Sequence, residues 1–429
     1  MNKSYYRQIA HDIALWLPLA SIVGVLGGGA AAIFLWSLQW VTETRVAHPQ
    51  LIWGLPIAGF VVAWLYLKFG KDVEAGNNLL IDEIHDPKAI IPLRMAPLVL
   101  FGTLASHLFG ASVGREGTAV QMSGALADQL TRLTRRQADG RRVLLMAGIS
   151  AGFAGVFGTP LAGAVFGVEV LALGLMRNNA LLPCLIAAFV ADAIVNVIGH
   201  YLGIHHTHYS VGAVPQMSLY LGAMVLIAGA IFGGAGKLFA DGAHYLGNCF
   251  KRIAYAPYRS LLGGGILVLV WLGFDAVGLD STRYMGLGIP VIEQAFAQPL
   301  SWFEAPIKLA ATIFSLGAGF KGGEVTPLFY IGATLGNVLA PLLNMPFPLL
   351  AGLGFVAVFA GATNTPLACT LMAIELFGAP IAPFALLACA MAHLCSGHSS
   401  IYKAQRMGSG KGRGVETLHA KIRIGDWKN

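Results

Sequence analysis

The chain has 429 residues, of which 56% are hydrophobic and only 11% are charged, and its mean hydropathy is +0.67. Soluble globular domains carry about 25% charged residues, so this composition excludes an ordinary soluble protein. The net charge of +7 is therefore interpreted as a sign of membrane topology, and no nucleic-acid partner is expected.

Apolar runs recur along the whole chain. They are solid stretches rich in Leu, Ala and Gly, without the alternation of a membrane β-barrel, so the predicted class is an all-α, polytopic helical membrane protein. Several runs are shorter than the roughly 20 residues that an untilted span needs. The first run lacks a small-residue cleavage site and is interpreted as a retained span. The runs lie at 13–40, 51–69, 90–109, 143–157, 159–175, 180–199, 217–239, 260–279, 302–320, 326–344, 347–361, 365–377 and 380–395.

The distribution of basic residues predicts the orientation in the membrane. Arginines cluster in one short loop and basic residues follow Tyr402, whereas residues 200–212 contain neither Lys nor Arg. With Lys3 and Arg7 near the start, this pattern predicts a multi-pass protein of the cell inner (plasma) membrane with both termini in the cytoplasm. The basic residues of the loop and the tail are Arg132, Arg135, Arg136, Arg141, Arg142, Lys403, Arg406, Lys411, Arg413, Lys421, Arg423 and Lys428.

Two sequence blocks recur in the same order in the two halves of the chain. "GREGTAVQMSGA" (114–125) matches "GGEVTPLFYIGA" (322–333), and "GTPLAGAVFGVE" (158–169) matches "NTPLACTLMAIE" (364–375) at nearly the same offset. The chain is therefore predicted to contain two repeats. The predicted segments are a cytoplasmic N-terminus (1–12), a first transmembrane repeat (13–200), an external loop (201–216), a second transmembrane repeat (217–402) and a basic cytoplasmic tail (403–429).

Glycine- and proline-containing breaks at matching positions of two inverted-topology repeats indicate a transporter with discontinuous helices that meet near the membrane midplane. Helices are expected to start near Thr118 and at Thr326. A helix that starts inside the membrane presents free N–H groups and the positive end of its dipole. The predicted substrate is therefore a small anion. The glycines that allow its close approach are Gly114, Gly117, Gly322 and Gly323.

These motifs resemble those of the CLC family of anion channels and anion/proton antiporters. "GREGT" (114–118) is similar to the family's GREGP motif, "GGEVTP" (322–327) stands at its GxFxP position, and "SGHSSIYKA" (396–404) is similar to its segment with the pore tyrosine. The resemblance covers nearly the whole chain. It implies a homodimer with one pore in each subunit, and the short tail implies no paired regulatory domains.

Three departures from the common family pattern are similar to the fluoride/proton antiporter branch. Asn77 stands near the place of the usual pore serine, the filter segment holds Glu324, Val325 and Thr326, and GREGP has become GREGT. The implied function is transport of fluoride out of the cytoplasm in exchange for protons. A chloride/proton antiporter and a fluoride/chloride channel of the same fold are the alternatives. "GLGIP" (286–290) looks like the serine-loop motif but is interpreted as an ordinary helix start.

Glu116 needs a partner or a function, because an ionised carboxylate near the bilayer centre costs about 2.5–3.5 kcal/mol on insertion scales. The resemblance implies that it is the gate and proton carrier, which occupies an anion position when ionised and swings away when protonated. The alternative is a structural ion pair with Arg115 or the arginine loop, which we disfavour because sequence neighbours point apart on a helix. The implied anion-binding residues are Asn77, Gly114, Arg115, Gly117, Glu324, Val325, Thr326 and Tyr402.

Structural alternatives stand beside several of these roles. Asn77 could cap the helix that follows it, the carboxylate of Glu324 could be satisfied by its own helix, and Tyr402 could be an interfacial anchor. Glu169 and Glu375, which match each other through the repeat, are predicted to make structural pairings at helix ends.

Val170 stands where chloride/proton antiporters of the family carry an inner proton glutamate, an absence that fluoride antiporters and channels share. The loop histidines, among them His205 and His206, have no nearby carboxylate or cysteine in the loop, so no metal is expected. The five cysteines form no CxxC pair and are expected to pack in the interior. No metalloprotease or serine-hydrolase motif is present, so neither a cofactor nor enzymatic activity is expected.

Overall fold

A computed structural model describes residues 3–134, 138–204, 206–411 and 422–426. Within these ranges the chain forms sixteen α-helices and one short parallel pair of strands, β1 (Ala172–Leu173) and β2 (Arg406–Met407). The helices are α1 (Lys3–Ala47), α2 (Leu55–Phe69), α3 (Asn77–His85), α4 (Met95–Leu108), α5 (Glu116–Thr134), α6 (Ala138–Phe157), α7 (Pro160–Glu169), α8 (Leu181–Leu202), α9 (Leu219–Lys251), α10 (Ala256–Ala276), α11 (Ile289–Ala297), α12 (Glu304–Gly317), α13 (Val325–Leu342), α14 (Phe347–Thr363), α15 (Pro366–Phe377) and α16 (Ala382–Cys395).

The first eight helices correspond in order to the second eight. The contact of α1 with α8 is repeated by α9 with α16, and the contact of α5 with α6 is repeated by α13 with α14. Corresponding helices also meet directly, since α2 packs on α10 and α7 packs on α15. The all-α fold built from two repeats is therefore confirmed. In the N-terminal segment, α1 begins at Lys3, so the first helix extends into residues 1–12.

Seven helical stretches among the described residues are long and apolar enough to cross a membrane. The other helices include short ones, such as the nine-residue α3 and α11 and the ten-residue α7. Such lengths cannot span a bilayer, which agrees with the prediction of discontinuous helices. The seven stretches are Ile13–Ala47, Pro49–Phe69, Ala138–Phe157, Asn178–Leu202, Leu219–Lys251, Ala256–Ala276 and Val325–Leu342.

Hydropathy did not identify α5, although this helix lies deep in the protein. It carries the polar side chains of Gln121 and Asp128, which interrupt any apolar run and yet are 9% and 0% exposed. Asp128 is stabilised by partners from other elements: it accepts hydrogen bonds from the backbone N–H of Ile91 and from the Arg141 guanidinium, each at 2.8 Å. A polar helix is thus buried because its charges are neutralised inside the fold.

Arg141 corrects the interpretation of the arginine loop. The sequence suggested a loop charge, but Arg141 lies in the first turn of α6 and is 6% exposed. It binds Asp128 and also Glu83 on α3 at 2.8 Å, so it joins three helices. The tail also packs onto the protein, since Arg406 and Arg423 lie 3.3 and 3.1 Å from the carboxylate of Asp82. The predictions for Arg135, Arg136, Arg413, Lys421 and Lys428 fall outside the described residues.

Glu169 and Glu375 make the predicted structural pairings, and they do so reciprocally. Glu169 at the end of α7 accepts the N–H groups of Leu367 and Ala368 in the first turn of α15, at 3.1 and 2.8 Å. Glu375 near the end of α15 accepts two N–H groups from the first turn of α7, both at 2.8 Å. Each carboxylate therefore satisfies the free N–H groups and the positive end of the opposite helix.

Candidate functional site

The two repeats meet at Gly114 and Gly323, just before the starts of α5 and α13. The N–H of Gly114 donates to the carbonyl of Gly323 at 2.6 Å, and the N–H of Gly323 donates to the carbonyl of Gly114 at 2.8 Å. A Cβ atom at Gly114 would lie 2.8 Å from the Gly323 carbonyl oxygen, so this approach requires glycine. The bridge places the N-termini of α5 and α13 next to each other inside the protein.

Glu116 is the first residue of α5, and its carboxylate lies against the N-terminus of α13. Its Oε2 accepts the backbone N–H of Thr326 at 3.0 Å, and its Oε1 accepts a short hydrogen bond from the Thr326 hydroxyl. Only 1% of the residue is exposed. A carboxylate in this position occupies the place in which a helix N-terminus binds an anion.

Arg115 does contact Glu116, contrary to the expectation that the two side chains point apart. The Arg115 Nε lies 3.5 Å from Oε1 of Glu116, and the Arg115 backbone N–H donates to Oε2 at 3.2 Å. The expectation assumed that both residues are helical, but α5 begins only at Glu116, so Arg115 has the freedom of a residue before the helix. The ion pair coexists with the hydrogen bonds to α13.

Glu116 lines one of two cavities that approach the junction of the half-helices. The Tyr209 cavity, of about 20 Å³, includes Glu116, Arg115, Thr326 and Tyr209 in its lining. The Asn77 cavity, of about 180 Å³, reaches the junction from another direction and is lined in part by Glu324. The lining of the Asn77 cavity does not include Glu116, and the two cavities have no lining residue in common.

Asn77 and Glu324 converge beside Gly117 in the first turn of α5. A Cβ atom at Gly117 would lie 2.9 Å from the Asn77 amide nitrogen and 3.5 Å from Oε2 of Glu324. Within the described residues, the buried Oδ1 of Asn77 and Oε2 of Glu324 have no hydrogen-bond partner. Buried polar atoms without partners are rare in proteins, and both of these oxygens are acceptors, so this pair marks a place where a hydrogen-bond donor or a proton would be bound.

The helix-cap alternative for Asn77 does not match the geometry, whereas the Glu324 carboxyl group does interact with its own backbone N–H. The N-cap of α3 is Gly76, with φ at +58°, and Asn77 is the first helical residue. Glu324 is the N-cap of α13, but no side-chain capping hydrogen bond forms there among the described residues. Neither side chain is therefore explained as a helix cap.

Tyr402 also lines the Asn77 cavity and is 5% exposed, so its position is interior and not that of an interfacial anchor. Its segment is held against α3, because the N–H of Ala404 donates to the Asn78 side-chain oxygen at 2.9 Å. Val325 is 2% exposed in the first turn of α13. The structure thus brings all of the residues predicted for the site to the junction or to its two cavities.

Sequence analysis missed five polar residues of the Asn77 cavity, namely Tyr66, Glu74, Asn78, Gln121 and Lys321. Asn78 and Gln121 were close to recognised motifs, but neither residue belongs to a repeated pair. Lys321 directly precedes the glycine pair of the second repeat, and a charged residue in an otherwise apolar segment was the available indication. Val170 is buried at the end of α7 and contributes no ionisable group.

Other predicted features lie outside this junction. "GLGIP" forms an ordinary helix start, with Gly288 as the left-handed N-cap of α11 at a φ of +73°. Among the described residues no three His, Cys, Asp or Glu side chains are grouped as for a metal ion, and His205 lies outside those residues. Three cysteines pack in the interior as expected, whereas Cys395 is exposed and Cys249 is partly buried.

Comparison with known proteins agrees with this architecture. Residues 58–397 match the voltage gated chloride channel family. The chain belongs to the CLC family. It is 57% identical over 418 residues to a chloride/fluoride channel protein of Pseudomonas syringae pv. tomato, which covers 97% of this chain and 91% of that protein.

Solved structures of CLC proteins share the fold. The crystal structure of a CLC-type fluoride/proton antiporter superimposes with a TM-score of 0.87 at 36% identity, covering 92% of this chain and 99% of that one. A slow cyanobacterial Cl⁻/H⁺ antiporter has a TM-score of 0.75 at 21% identity, over 89% of this chain and 94% of that one, and this likeness concerns the fold alone. This CLC chain is therefore a multi-pass membrane protein of the transporter type.

Proposed function

We propose that this chain transports fluoride out of the cytoplasm in exchange for protons, with Glu116 as the gate and proton carrier. The proposal rests on the position of the Glu116 carboxylate at the N-terminus of α13. There it accepts the hydrogen bond from the Thr326 N–H that a bound anion would otherwise accept. The similarity to a fluoride/proton antiporter supports the choice of both ions.

Protonation of Glu116 is the step that opens the path. The ionised carboxylate is held by the N–H groups of Thr326 and Arg115 and by the positive end of α13. A neutral carboxylic acid loses most of this stabilisation, because charge-assisted hydrogen bonds are about twice as strong as neutral ones. The side chain then leaves, fluoride takes its place, and the proton travels with the carboxylate.

Asn77 and Glu324 line the fluoride path on the other side of the junction. The Asn77 amide supplies a neutral donor for a small anion that holds its water tightly. The carboxyl group of Glu324 repels fluoride when ionised and donates a hydrogen bond when protonated, so fluoride and a proton stabilise each other there. Thr326 and Tyr402 contribute hydroxyl groups to the same path.

Exchange with protons is energetically effective for expelling an anion. If one proton enters for each fluoride that leaves, two charges move with the membrane potential, which contributes about 4.6 kcal/mol at 100 mV. A channel that releases fluoride alone gains about 2.3 kcal/mol under the same conditions. Exchange therefore maintains a lower internal fluoride concentration.

The alternatives are a chloride/proton antiporter and a fluoride/chloride channel of the same fold. The relative from Pseudomonas syringae is named a chloride/fluoride channel protein, and this similarity supports both alternatives. The absence of a carboxylate at Val170 fits a channel as well as a fluoride antiporter. The 36% identity to a CLC-type fluoride/proton antiporter, over 92% of this chain, favours fluoride exchange.

We further propose the plasma membrane as the location, with both termini in the cytoplasm. The Asn77 cavity then faces the cytoplasm and the Tyr209 cavity faces outward, because residues 200–212 contain no Lys or Arg.

For the homodimer that the family implies, α7 and α15 offer an apolar face on which Leu161 and Leu367 are 40% and 45% exposed. Chemical cross-linking of protein purified in detergent tests this assembly.

Flux measurements in liposomes test the function. Vesicles are loaded with fluoride or chloride, and external anion concentration and internal pH are recorded together. The proposal requires fluoride efflux to drive proton uptake against a proton gradient, with much slower chloride movement. Equal rates for both anions with proton coupling would support a chloride-transporting exchanger, and anion flux without proton movement would support a channel.

A further inference from the structure

Lys321 is a basic residue in the lining of the Asn77 cavity that the proposed transport cycle does not use. It lies in the link between α12 and α13, directly before the glycines of the second repeat. Its side-chain stem packs on α4, where a Cβ atom at Gly102 would lie 3.0 Å from both Cβ and Cγ of Lys321. The residue is thus fixed inside the helical bundle and does not extend from its surface.

The Lys321 ammonium contacts the aromatic face of Tyr66 on α2, with Nζ 4.1 Å from the ring centroid. Glu74, in the lining of the same cavity, interacts with the ammonium electrostatically. Within the described residues the ammonium has no close salt bridge and no hydrogen bond, although it has three N–H donors. An aromatic face stabilises a cation but accepts few of these hydrogen bonds. The remaining donors are available to a group that enters the cavity.

The charge of the cavity makes this lysine significant. Two carboxyl groups, those of Glu74 and Glu324, and the phenols of Tyr66 and Tyr402 are the other ionisable groups in its lining. Among the described residues that line this cavity, Lys321 alone can carry a positive charge. Without it, a cavity with two carboxylates would repel every anion that approaches the junction.

We propose that Lys321 binds the transported anion electrostatically in the Asn77 cavity, before the anion meets Asn77 and Glu324 at the junction. The inference rests on the proposed anion path through this cavity. Fluoride that enters is attracted by the positive charge of Lys321 and accepts hydrogen bonds from the ammonium. The function of Lys321 is then to raise the occupancy of the path by fluoride, while proton coupling depends on Glu116.

Fluoride binding by purified protein tests the proposal directly. Sodium fluoride is titrated into the detergent-solubilised parent, Lys321→Gln and Lys321→Arg in a calorimeter at constant ionic strength. Removal of one nearby unit charge in a protein-like dielectric is expected to weaken fluoride binding about tenfold in Lys321→Gln. Lys321→Arg keeps the positive charge and should bind fluoride with an affinity within about threefold of the parent.

Lys68→Gln is the matched control. Lys68 also contacts an aromatic ring, that of Trp64 at 5.0 Å, but it is exposed and lies outside this cavity.

The same variants are reconstituted in liposomes to record fluoride and proton movement. The proposal expects Lys321→Gln to need a higher fluoride concentration for half-maximal efflux and to keep the parent's ratio of protons to fluoride. Parent-like fluoride affinity in Lys321→Gln would overturn it, and so would an arginine variant that binds as weakly as the glutamine variant. If Lys321→Gln bound fluoride with normal affinity but moved fewer protons per fluoride, Lys321 would be a proton carrier, and the proposal would also be overturned. If the parent itself moves fluoride without protons, the exchange function fails, while the binding comparison still decides the role of Lys321.

Discussion

Thr326 donates its backbone N–H to the carboxylate of Glu116 at 3.0 Å, although the two residues belong to different repeats and lie 210 positions apart. The site therefore does not belong to either half of the chain. The first repeat provides the acid, and the second provides the helix N-terminus that stabilises its ionised form. Any change at this junction affects both the charge of the acid and its position.

Thr326→Ala should weaken fluoride transport by about tenfold, since a hydrogen bond to a charged group contributes about 1.5–3 kcal/mol. Thr326→Ser retains the hydroxyl and should stay close to the parent. Fluoride efflux from liposomes provides the measurement. Thr334→Ala is a useful control, because Thr334 lies in the same helix but donates its hydroxyl hydrogen to the carbonyl of Tyr330 at 2.8 Å. Equal transport by Thr326→Ala and the parent would remove Thr326 from the path.

The pairing of Glu116 with α13 follows from the sequence to a large extent. The repeat superimposes Glu116 on Glu324, and the glycines before each residue predict helix starts that approach each other. The contact with Arg115 could not be predicted, because it depends on whether α5 begins before or after that residue. A shift of a single residue in a helix boundary decides this, and boundaries are the least certain feature of sequence-based prediction.

Asn77 and Glu324 are the residues that should determine the choice between anions. Asn77→Ser and Glu324→Gln are each expected to lower the ratio of fluoride to chloride transport rates by about tenfold, because each removes one well-placed polar contact with a small anion. Both variants should fold, since neither leaves a large apolar cavity. The ratio is measured in vesicles loaded with either salt.

Asn78→Ala is the control for the Asn77 substitution. Its side chain holds the N–H of Ala404 at 2.9 Å and therefore acts on the position of the Tyr402 segment. We expect a lower rate for both anions with an unchanged ratio. A parent-like ratio in both Asn77→Ser and Glu324→Gln would mean that anion selectivity arises elsewhere.

Arg141→Met should destabilise the protein strongly, because it leaves the buried carboxylates of Asp128 and Glu83 without their cation. Breaking a buried ion pair in this way costs about 3–5 kcal/mol. Arg142→Met is the matched control, since Arg142 pairs with an Asp139 side chain that is 89% exposed and should cost less than about 1 kcal/mol. Thermal unfolding in detergent compares the two variants, and equal midpoints would contradict the structural role of Arg141.

This arginine also illustrates where sequence information ends. Charge counting places Arg141 and Arg142 in one basic loop, and they are adjacent in the chain. Only one of them turns inward, because Asp128 on α5 and Glu83 on α3 lie beside it in the fold. These acids are 13 and 58 residues away, and no repeat or motif connects them to the arginine. Lys321 was missed for the same reason, since its cavity is assembled from several separate segments.

Gly323→Ala tests the bridge between the repeats. The added Cβ would lie 2.8 Å from the N–H nitrogen of Gly117 and 3.0 Å from that of Glu116, so one of the half-helices has to move. Overpacking of this kind costs about 1–3 kcal/mol. Gly29→Ala meets no atom within 4 Å and should not destabilise the protein. The unfolding midpoints and fluoride efflux of both variants are compared, and a Gly323→Ala protein with normal stability and normal transport would contradict the close approach.

Glu116→Gln addresses the central assignment. The glutamine keeps the size of the side chain and accepts a hydrogen bond, but it neither ionises nor carries a proton. In an exchanger that needs the carboxylate to enter and leave the anion site, proton flux should vanish and fluoride turnover should fall by about a hundredfold or more, as for loss of a catalytic acid–base group.

The same variant separates exchange from channel activity. In a channel that Glu116 closes, a neutral side chain should leave fluoride conduction intact or increase it, and the parent should move no protons either. The measurement uses liposomes with an outward fluoride gradient, in which internal pH and external fluoride are recorded for both proteins. Thr326→Ser serves as the folding and reconstitution control, because it changes the partner of Glu116 and keeps the acid. Proton uptake against its gradient that continues undiminished in Glu116→Gln would show that another group carries the proton, since glutamine has no proton to exchange at any pH of the experiment.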